Sequence, residues 1–506
     1  MKRSGWMVGL GVLAMVAGAC GSTVKASSGG HGSNSSGLGL PSAGNSSGGG
    51  AAGGTLNGAT PANGYNGGAL SGTQSGGSGG SYSAGGTGGG GGSVNGVTST
   101  LVPASGPGIT NSTVYIGLPY SSQSAQADRA IGAAGAAPSY DARNVYNAVI
   151  NYANAHGGFA GRKLQALYYD YNLTTDFNTQ DQASCAYWTQ DNKSFFIVGG
   201  TDIRDACGQN VGAVVIGSGS ATEAIFQKYP NMIDPDATAL DRLGAVTASG
   251  LYKAGYFAGK LGLVTWDDPN YRATIQNGYM PTLSSHHITP LQTVYIAVPQ
   301  QIGALGDMSA AVSSAVTKFK SLGIDHVIIQ DGPAGVWSGD GLTFEWMNQA
   351  KSQNYYPRYG GNAGNAPGFG INPSDEENKM LAIDNSDYDA QYDKGWHTNQ
   401  ARTQCFQIEA QAGYPVSSSN QNDEGIAGAA CDYVFFMQKV INSLPRVTAA
   451  GFVAQAQTLG TSFPSAIIYG TKLLSGRRDG GDEFRTEEYF SSCSCLQYQG
   501  PPYYPD

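Results

Sequence analysis

The sequence predicts an α/β protein in which helices cover both faces of parallel sheets. Two observations predict this fold. Short apolar runs, typical of buried strands, alternate along residues 109–506 with longer segments of helical periodicity. This region of about 398 residues is also long enough for two lobes with sizeable cores. Parallel strands joined by helical crossovers would bring the carboxyl ends of all strands to one edge of each sheet, where ligands bind in open α/β folds.

Residues 140–171 contain one helix–turn–strand unit in full. An apolar face recurs at helical spacing through Ala142, Val145, Val149, Tyr152 and Ala153. The pair Gly157-Gly158 ends this helix, because a helix commonly stops at a residue in the left-handed conformation. Gly161 turns the chain, and residues 164–169 form a short apolar run that we interpret as a buried strand.

The remaining elements are predicted from the same patterns. Strands are expected at residues 114–118, 195–198, 213–216, 261–265, 293–297 and 326–330. A helix is expected around residues 240–260, with further helices between the later strands.

The first 108 residues are predicted to lie outside the fold. Lys2 and Arg3 precede a short apolar core at residues 6–17, which indicates a signal peptide over residues 1–19. Residues 16–20 resemble a lipobox, in which the thiol of Cys20 would be acylated after cleavage. The alternative is ordinary cleavage near Ala19 and free secretion. Residues 20–108 are rich in Gly, Ser, Ala and Asn, so we expect a disordered tether.

Composition excludes several classes of partner. The net charge is −9, charged residues make up 12% of the chain, and no basic stripe is present. Nucleic acid is therefore not expected as a partner. No further segment is apolar for long enough to span a membrane, so the mature protein is expected to be anchored and not threaded.

The segment 154–163 resembles a motif of the branched-chain amino-acid type of periplasmic solute-binding protein. That family carries Asn-x-x-Gly-Gly-x-x-Gly-Arg-Lys here, and the matching residues are Asn154, Gly157, Gly158, Gly161, Arg162 and Lys163. An apolar strand ending in Asp170 follows, as in the family. The resemblance implies a type I periplasmic binding protein fold, with two Rossmann-like lobes of parallel sheet joined by a multi-strand hinge. It places lobe 1 at about 112–240 and 366–470, and lobe 2 at about 241–365 and 471–506.

The cysteines favour disulfides in an exported chain. Apart from Cys20, six remain, which is an even number. The preferred pairs are Cys185–Cys207, which resembles a local disulfide in the first lobe of the family, and Cys405–Cys431. The last two cysteines, at positions 493 and 495, could pair with each other or exchange with the second pair. A zinc site is disfavoured because no second ligand pair accompanies them.

The resemblance also implies where a ligand would lie, on the loops that follow particular strands. The corresponding residues in lobe 1 are Ser121, Ser122, Gly200, Thr201, Ser218 and Ser220. Their hydroxyl and backbone N–H groups could hold a carboxylate. In lobe 2 the counterparts are Tyr271 and the loop from Asp331 to Gly335, with Trp337 as a further wall. Loop Ser, Thr, Gly and Asn residues are also common turn formers, and the two tryptophans 266 and 337 can serve as structural residues.

One position departs from the family pattern. Amino-acid binders place an acid where this chain has Asn362, and that acid pairs with the ligand's ammonium group. Asp331 or Asp267 could supply the missing charge. Amides, short-chain acids, urea-like molecules and small aromatics therefore remain open as ligands beside amino acids.

No catalytic pattern stands out in the sequence. The six histidines form no metalloprotease helix, and the segment 217–220 only partly matches a nucleophile elbow. We therefore expect a monomeric, non-enzymatic, lipid-anchored binding protein in the bacterial cell envelope, with no cofactor or metal, that captures a small polar solute for an ABC-type permease. The alternatives are a sensory receptor of the same fold and, less favoured, an envelope hydrolase or amidase.

Overall fold

A computed structural model describes residues 101–124, 138–217, 219–335, 341–362, 373–377, 379–386, 400–417, 421–492 and 495–505. The predicted signal peptide, Cys20 and the predicted tether up to residue 100 lie outside these residues. The described chain forms two sheets, one of five strands and one of seven, with helices packed against both.

The five-stranded sheet is parallel throughout and forms lobe 1. Its order is β2-β1-β3-β4-β5. The strands are β1 (Thr113–Tyr120), β2 (Lys163–Asp170), β3 (Phe196–Val198), β4 (Val214–Ile216) and β5 (Met232–Ile233). The helices between them are α1 (Ala142–Ala155), α2 (Phe177–Ala186), α3 (Asp202–Val211) and α4 (Glu223–Lys228).

The seven-stranded sheet forms lobe 2 and has the order β12-β11-β10-β9-β8-β6-β7. Its strands are β6 (Leu261–Trp266), β7 (Gln292–Ile296), β8 (His326–Gln330), β9 (Arg358–Asn362), β10 (Leu381–Asp384), β11 (Arg485–Phe490) and β12 (Cys495–Tyr498). Strands β6 to β10 are parallel, whereas β11 runs antiparallel to both its neighbours. The helices from this stretch of chain are α5 (Leu240–Lys253), α6 (Pro269–Ala273), α7 (Met280–Ser285), α8 (Leu305–Leu322), α9 (Gly341–Ser352) and α10 (Ser374–Glu377).

Three later helices return to lobe 1. They are α11 (Gln400–Gln411), α12 (Gln421–Asn442) and α13 (Ala449–Ala456). Phe436 of α12 and Phe452 of α13 belong to the same buried core as Val114 and Ile116 of β1. Two further cores, one on each face of the second sheet, hold lobe 2 together.

The family-like motif has a clear structural role. The Asn154 side chain accepts from the Leu164 N–H (2.8 Å) and donates to the Leu164 carbonyl (2.9 Å), which ties the end of α1 to the start of β2. Gly158 and Gly161 have φ of +60° and +80°, as the sequence predicted for a helix stop and a turn. The Arg162 guanidinium donates to three backbone carbonyls, so the motif stabilises the packing of neighbouring chain segments.

Most predicted elements are confirmed, with two corrections. Helix α5 ends at Lys253 and not near residue 260, because Gly255 adopts a left-handed conformation (φ +70°) and turns the chain toward β6. The return to lobe 1, predicted at residue 366, lies after β10, since this strand pairs with β9 and β11 in the second sheet. No helix among the described residues has both the length and the apolar character needed to cross a membrane.

Both preferred disulfides form in the structure. Cys185 of α2 is joined to Cys207 of α3, and Cys405 of α11 to Cys431 of α12, with Cα–Cα distances of 5.8 and 6.0 Å. Each links two helices that are consecutive in the described chain. Cys493 and the side chain of Cys495 lie outside the described residues.

Candidate ligand-binding cleft

The carboxyl ends of the strands in the two sheets face each other across a cleft. Loops from each lobe meet there. The Asn270 side chain, after β6, donates to Asp202 at the start of α3 (3.4 Å), and a Cβ on Gly219, after β4, would lie 3.6 Å from Pro333, after β8. Strand ends that face each other in this way form the usual ligand crevice of open α/β sheets.

The lobes also touch at the side of the cleft formed by the loops after β2 and β7. The Phe177 N–H donates to the Gln300 carbonyl (2.8 Å), and the Ile302 N–H donates to the Leu173 carbonyl (3.1 Å). These two backbone hydrogen bonds join the lobes directly. The structure therefore has the cleft in a closed state.

The hinge is built from chain segments that cross between the lobes. A backbone bridge pairs Asp234 with Asp479, and another pairs Ser386 with Ile468. The guanidinium of Arg242, in the first turn of α5, forms an ion pair with the buried Asp479 carboxylate. Several crossing segments are therefore hydrogen-bonded into one unit, as the predicted multi-strand hinge requires.

Two predicted site residues follow β1 and make local bonds. The Ser121 hydroxyl donates to the Tyr171 carbonyl (2.9 Å). The Ser122 backbone N–H and hydroxyl both donate to the Asp170 carboxylate, at 2.9 and 2.8 Å. In the closed structure these serines hold the ends of β1 and β2 together.

Gly200, Thr201 and Ser220 also lie at the strand ends of lobe 1, whereas Ser218 lies outside the described residues. The Ser220 hydroxyl donates to the Gly200 carbonyl (3.1 Å), so the loops after β3 and β4 are in contact. The Thr201 hydroxyl caps α3 by accepting from the Arg204 N–H (3.3 Å). Part of the hydrogen-bonding capacity that the sequence suggested for a ligand is thus used within the lobe.

The buried side chain of Asp205 stabilises the loop after β3. Its Oδ1 accepts from the Gly200 N–H (3.3 Å), and a Cβ on Gly199 would lie 2.6 Å from the same oxygen. Burial raises the pKa of the Asp205 carboxyl to about 8, and the nearby carboxylates of Asp202 and Asp234 act in the same direction. The sequence reasoning did not select Asp205, because an acid in the first turn of a helix is ordinarily a solvent-exposed dipole partner.

In lobe 2 the predicted residues Tyr271 and Asp331 are buried. The Tyr271 hydroxyl donates to the Pro333 carbonyl (3.1 Å). The Asp331 carboxylate accepts from the Trp266 indole (2.9 Å), the Gly332 N–H (2.8 Å), and the N–H and hydroxyl of Thr343 (2.7 and 2.9 Å). Burial raises the pKa of Asp331 to about 6 in spite of these donors. Asp331 thus orders the loop after β8. Trp337 lies outside the described residues.

The second acid that the sequence offered, Asp267, is engaged as well. It is exposed and accepts a hydrogen bond from the Arg272 guanidinium (2.6 Å), which lowers its pKa. Asn362, at the end of β9, is 7% exposed, and its Oδ1 has no hydrogen-bond partner in the part of the chain that the structure describes. Among the three predicted polar groups Asn362, Asp331 and Asp267, only Asn362 therefore retains an unused buried oxygen.

Two carboxyl groups that the sequence reasoning missed follow β5. Asp234 accepts from the Gly219 N–H (3.2 Å) and from the Asp236 N–H (3.4 Å). Asp236 is 9% exposed, and its Oδ2 has no partner among the described residues. Burial, with the carboxylates of Asp234 and Asp432, raises the pKa of Asp236 well above its usual value. The only sequence signal was an Asp-Pro-Asp turn after a two-residue strand, which is too short to detect by its pattern.

Helix α12 contributes Tyr433 to the same place. A Cβ on Gly217 would lie 2.3 Å from the Tyr433 hydroxyl oxygen, so only glycine fits there, and its φ of +67° also favours glycine. Asp432, next to it, accepts hydrogen bonds from the hydroxyl of Ser465 and the N–H of Ala466 (2.6 Å for the latter). No group of three or more His, Cys, Asp or Glu side chains suited to a metal ion occurs among the described residues.

Comparison with known proteins defines the class of fold. No family model and no curated protein matches the sequence. Among solved structures, the chain is similar to a leucine-binding protein from Thermotoga maritima, with a TM-score of 0.55, 12% identity, and coverage of 78% of this chain and 99% of that one. A fatty-acid ABC transporter substrate-binding protein from Thermomonospora curvata is also similar, with a TM-score of 0.55 and 13% identity. The match covers 80% of this chain and 95% of that one.

A third similar structure is a solute-binding protein of an ABC transporter from Rhodopseudomonas palustris in complex with 3,4-dihydroxybenzoic acid. Its TM-score is 0.55 at 11% identity, and the match covers 78% of this chain and 97% of that one. At these identities the likeness establishes the architecture. This chain has the type I periplasmic binding protein fold that the sequence predicted.

Proposed function

We propose that this protein is an extracytoplasmic solute-binding protein that captures a small polar molecule between its lobes and delivers it to an ABC-type permease. The observation that carries the proposal is the closed cleft, which has facing strand ends and two backbone hydrogen bonds joining the lobes. A ligand that contacts both lobes would favour this state over an open one through its differential affinity. The similar solved structures are named as solute-binding proteins, which supports the same function.

The chemistry of the cleft favours a ligand with an amine group. Asp236 offers a buried carboxyl oxygen without a partner among the described residues, next to Asp234. An ammonium group placed there would favour the ionised carboxylate of Asp236, which burial otherwise disfavours. Asp236 would then replace the acid that the family carries at the position of Asn362. The amide oxygen of Asn362 remains available as a neutral acceptor.

Thermal unfolding in the presence of candidate solutes tests this function. Amino acids, amines, amides, short-chain acids and aromatic acids should be compared, and an amine-bearing class should raise the Tm by a few degrees at a concentration about 100 times its Kd. The Asp236→Asn variant should lose this shift. If no class raises the Tm of the wild-type protein, the solute-binding proposal is contradicted. If acids without an amine stabilise it, the role of Asp236 is contradicted alone.

The pair Ile302→Pro and Ile302→Ala serves as a matched test of closure. Ile302 is the first residue of a 3-10 helix, where proline is tolerated, and Gln301 before it is extended (φ −158°, ψ 158°). Proline removes the N–H that donates to Leu173, whereas alanine keeps it. The loss of one hydrogen bond of about 1 kcal/mol should weaken ligand binding about fivefold in the proline variant alone. Equal affinities in the two variants would show that closure at this contact does not assist binding.

We also propose that the protein is anchored to the membrane through acylated Cys20, on the strength of the lipobox-like residues 16–20. Replacing Cys20 by serine should move the protein from the membrane fraction to the soluble fraction while leaving its ligand response intact. The measurement is immunoblotting of fractionated cells. A variant that stays with the membrane would point to another mode of attachment.

A further inference from the structure

A cavity of about 260 Å³ lies where the chain crosses between the lobes, and none of the cleft residues described above, apart from Ser465, takes part in it. We call it the crossover cavity. Its lining residues are Gln400, Ala401, Thr461, Phe463, Pro464, Ser465, Tyr469, Gly470, Thr471, Asp482 and Tyr504. We propose that the crossover cavity is a second small-molecule site, which takes an uncharged molecule with one aromatic ring and an amide or hydroxyl substituent.

The walls of the crossover cavity come from both lobes. Phe463 belongs to the core of lobe 1, where its ring contacts Phe436 (5.2 Å between centroids). Tyr504 follows Tyr503, which forms a backbone bridge to the buried Phe484 of lobe 2. Between them, the Thr471 hydroxyl donates to the Phe463 carbonyl. The cavity is therefore fixed by the fold on both sides.

The size and the aromatic lining set the shape of the ligand. An apolar cavity of about 150 Å³ is sufficient for benzene, so this volume accommodates one ring with a polar substituent. The lining includes three aromatic residues, Phe463 (3% exposed), Tyr469 and Tyr504 (59% exposed), together with Pro464. Offset or edge-to-face contacts with such rings favour an aromatic ligand over an aliphatic one of equal size.

The charges around the crossover cavity are already paired, which favours an uncharged ligand. Asp482 forms ion pairs with Arg477 (3.0 Å) and Lys472 (3.8 Å). Next to it, Glu483 pairs with Arg485 (2.8 Å), and the Tyr504 hydroxyl donates to Glu483 (3.0 Å). A charged ligand would lose its hydration and find no unpaired charge of opposite sign in return, which is unfavourable.

Two lining groups remain for a polar substituent. The side chains of Gln400 and Thr461 make no hydrogen bond within the described part of the chain and lie at the exposed side of the cavity. Together they offer donors and acceptors, which match the N–H and C=O groups of a carboxamide. Benzamide is therefore a suitable probe, and cyclohexanecarboxamide is its non-aromatic counterpart.

Saturation-transfer NMR on the full chain, with benzamide as the titrated probe, tests the proposal. Benzamide should bind with a Kd of about 1 mM, and cyclohexanecarboxamide at least about fivefold more weakly. Tyr504→Ala, which removes a wall at the exposed surface, should weaken benzamide binding about fivefold or more. Tyr356→Ala is the matched control, because Tyr356 is similarly exposed (54% against 59% for Tyr504) and does not line the cavity.

Three results would overturn the proposal. They are the absence of benzamide binding to the wild-type protein, equal binding of the two carboxamides, and unchanged benzamide affinity in Tyr504→Ala. Both tyrosine variants alter exposed side chains, and their circular dichroism spectra and Tm values should match those of the wild-type protein. A cleft-bound probe would respond to Ile302→Pro and not to Tyr504→Ala, which separates this test from that of the proposed function.

Discussion

Replacing Arg162 by methionine should lower the free energy of unfolding by about 3 kcal/mol. The Arg162 side chain is only 5% exposed, and its guanidinium donates to the carbonyls of Thr110 (2.6 Å), Ala160 (2.9 Å) and Val102 (2.9 Å). Methionine fills similar space but donates nothing, so these carbonyls lose a charged partner. Burial lowers the pKa of Arg162, yet arginine stays protonated at any ordinary pH.

The loss should be measured by urea unfolding and localised by hydrogen exchange. Exchange should rise first in residues 101–110, because Arg162 holds this segment through Val102 and Thr110. Lys163→Met is the matched control, since Lys163 is the next residue of the same motif and is exposed. If the two variants have equal free energies of unfolding, the hydrogen bonds of Arg162 do not stabilise the fold.

Stability should fall as the pH rises from 5 to 8, and Asp205→Asn should reduce this fall. The folded-state pKa of Asp205 is about 8, above the ordinary value of 3.8, so the folded protein binds the proton more tightly than the unfolded chain. The stabilisation from this group is therefore complete below about pH 4 and is lost as the pH rises toward 8. The upper limit of the slope is about 1.4 kcal/mol per pH unit.

Asparagine at position 205 keeps an oxygen that can accept from the Gly200 N–H, but it does not titrate. Glu409, with a pKa raised to about 8 by burial, contributes a slope of the same sign, so part of the fall should remain. The measurement is Tm against pH for the wild-type protein, Asp205→Asn and the exposed control Asp191→Asn. Parallel curves for all three proteins would show that Asp205 ionises normally in the folded state.

The predicted strands and the motif at residues 154–163 were accessible from sequence because they are local. Apolar runs of four to six residues gave the positions of β1, β2, β6 and β8 within a few residues. The glycine stops at Gly158 and Gly161 follow from the backbone conformations that only glycine adopts readily. The structure has both disulfides that the sequence predicts, and the family resemblance implies only the first of them.

The state of the candidate site depends on contacts between residues that are far apart in sequence. Ser122 bonds to Asp170, and Ser220 bonds to Gly200, so the hydroxyls that the sequence assigned to a ligand have internal partners. Asp331 is bound by Trp266, 65 residues away. No local pattern reports such pairings, because they depend on how strand ends align across the sheet.

By itself, the sequence determined the α/β class, the alternation of strands and helices, and the motif that closes α1 onto β2, because these depend on periodicity and on single-residue backbone preferences. Tertiary structure alone decided that β10 joins the second sheet and that Asp205 and Asp236 are buried. Burial and hydrogen bonding are properties of neighbours in space, and folding brings those neighbours together from distant parts of the chain.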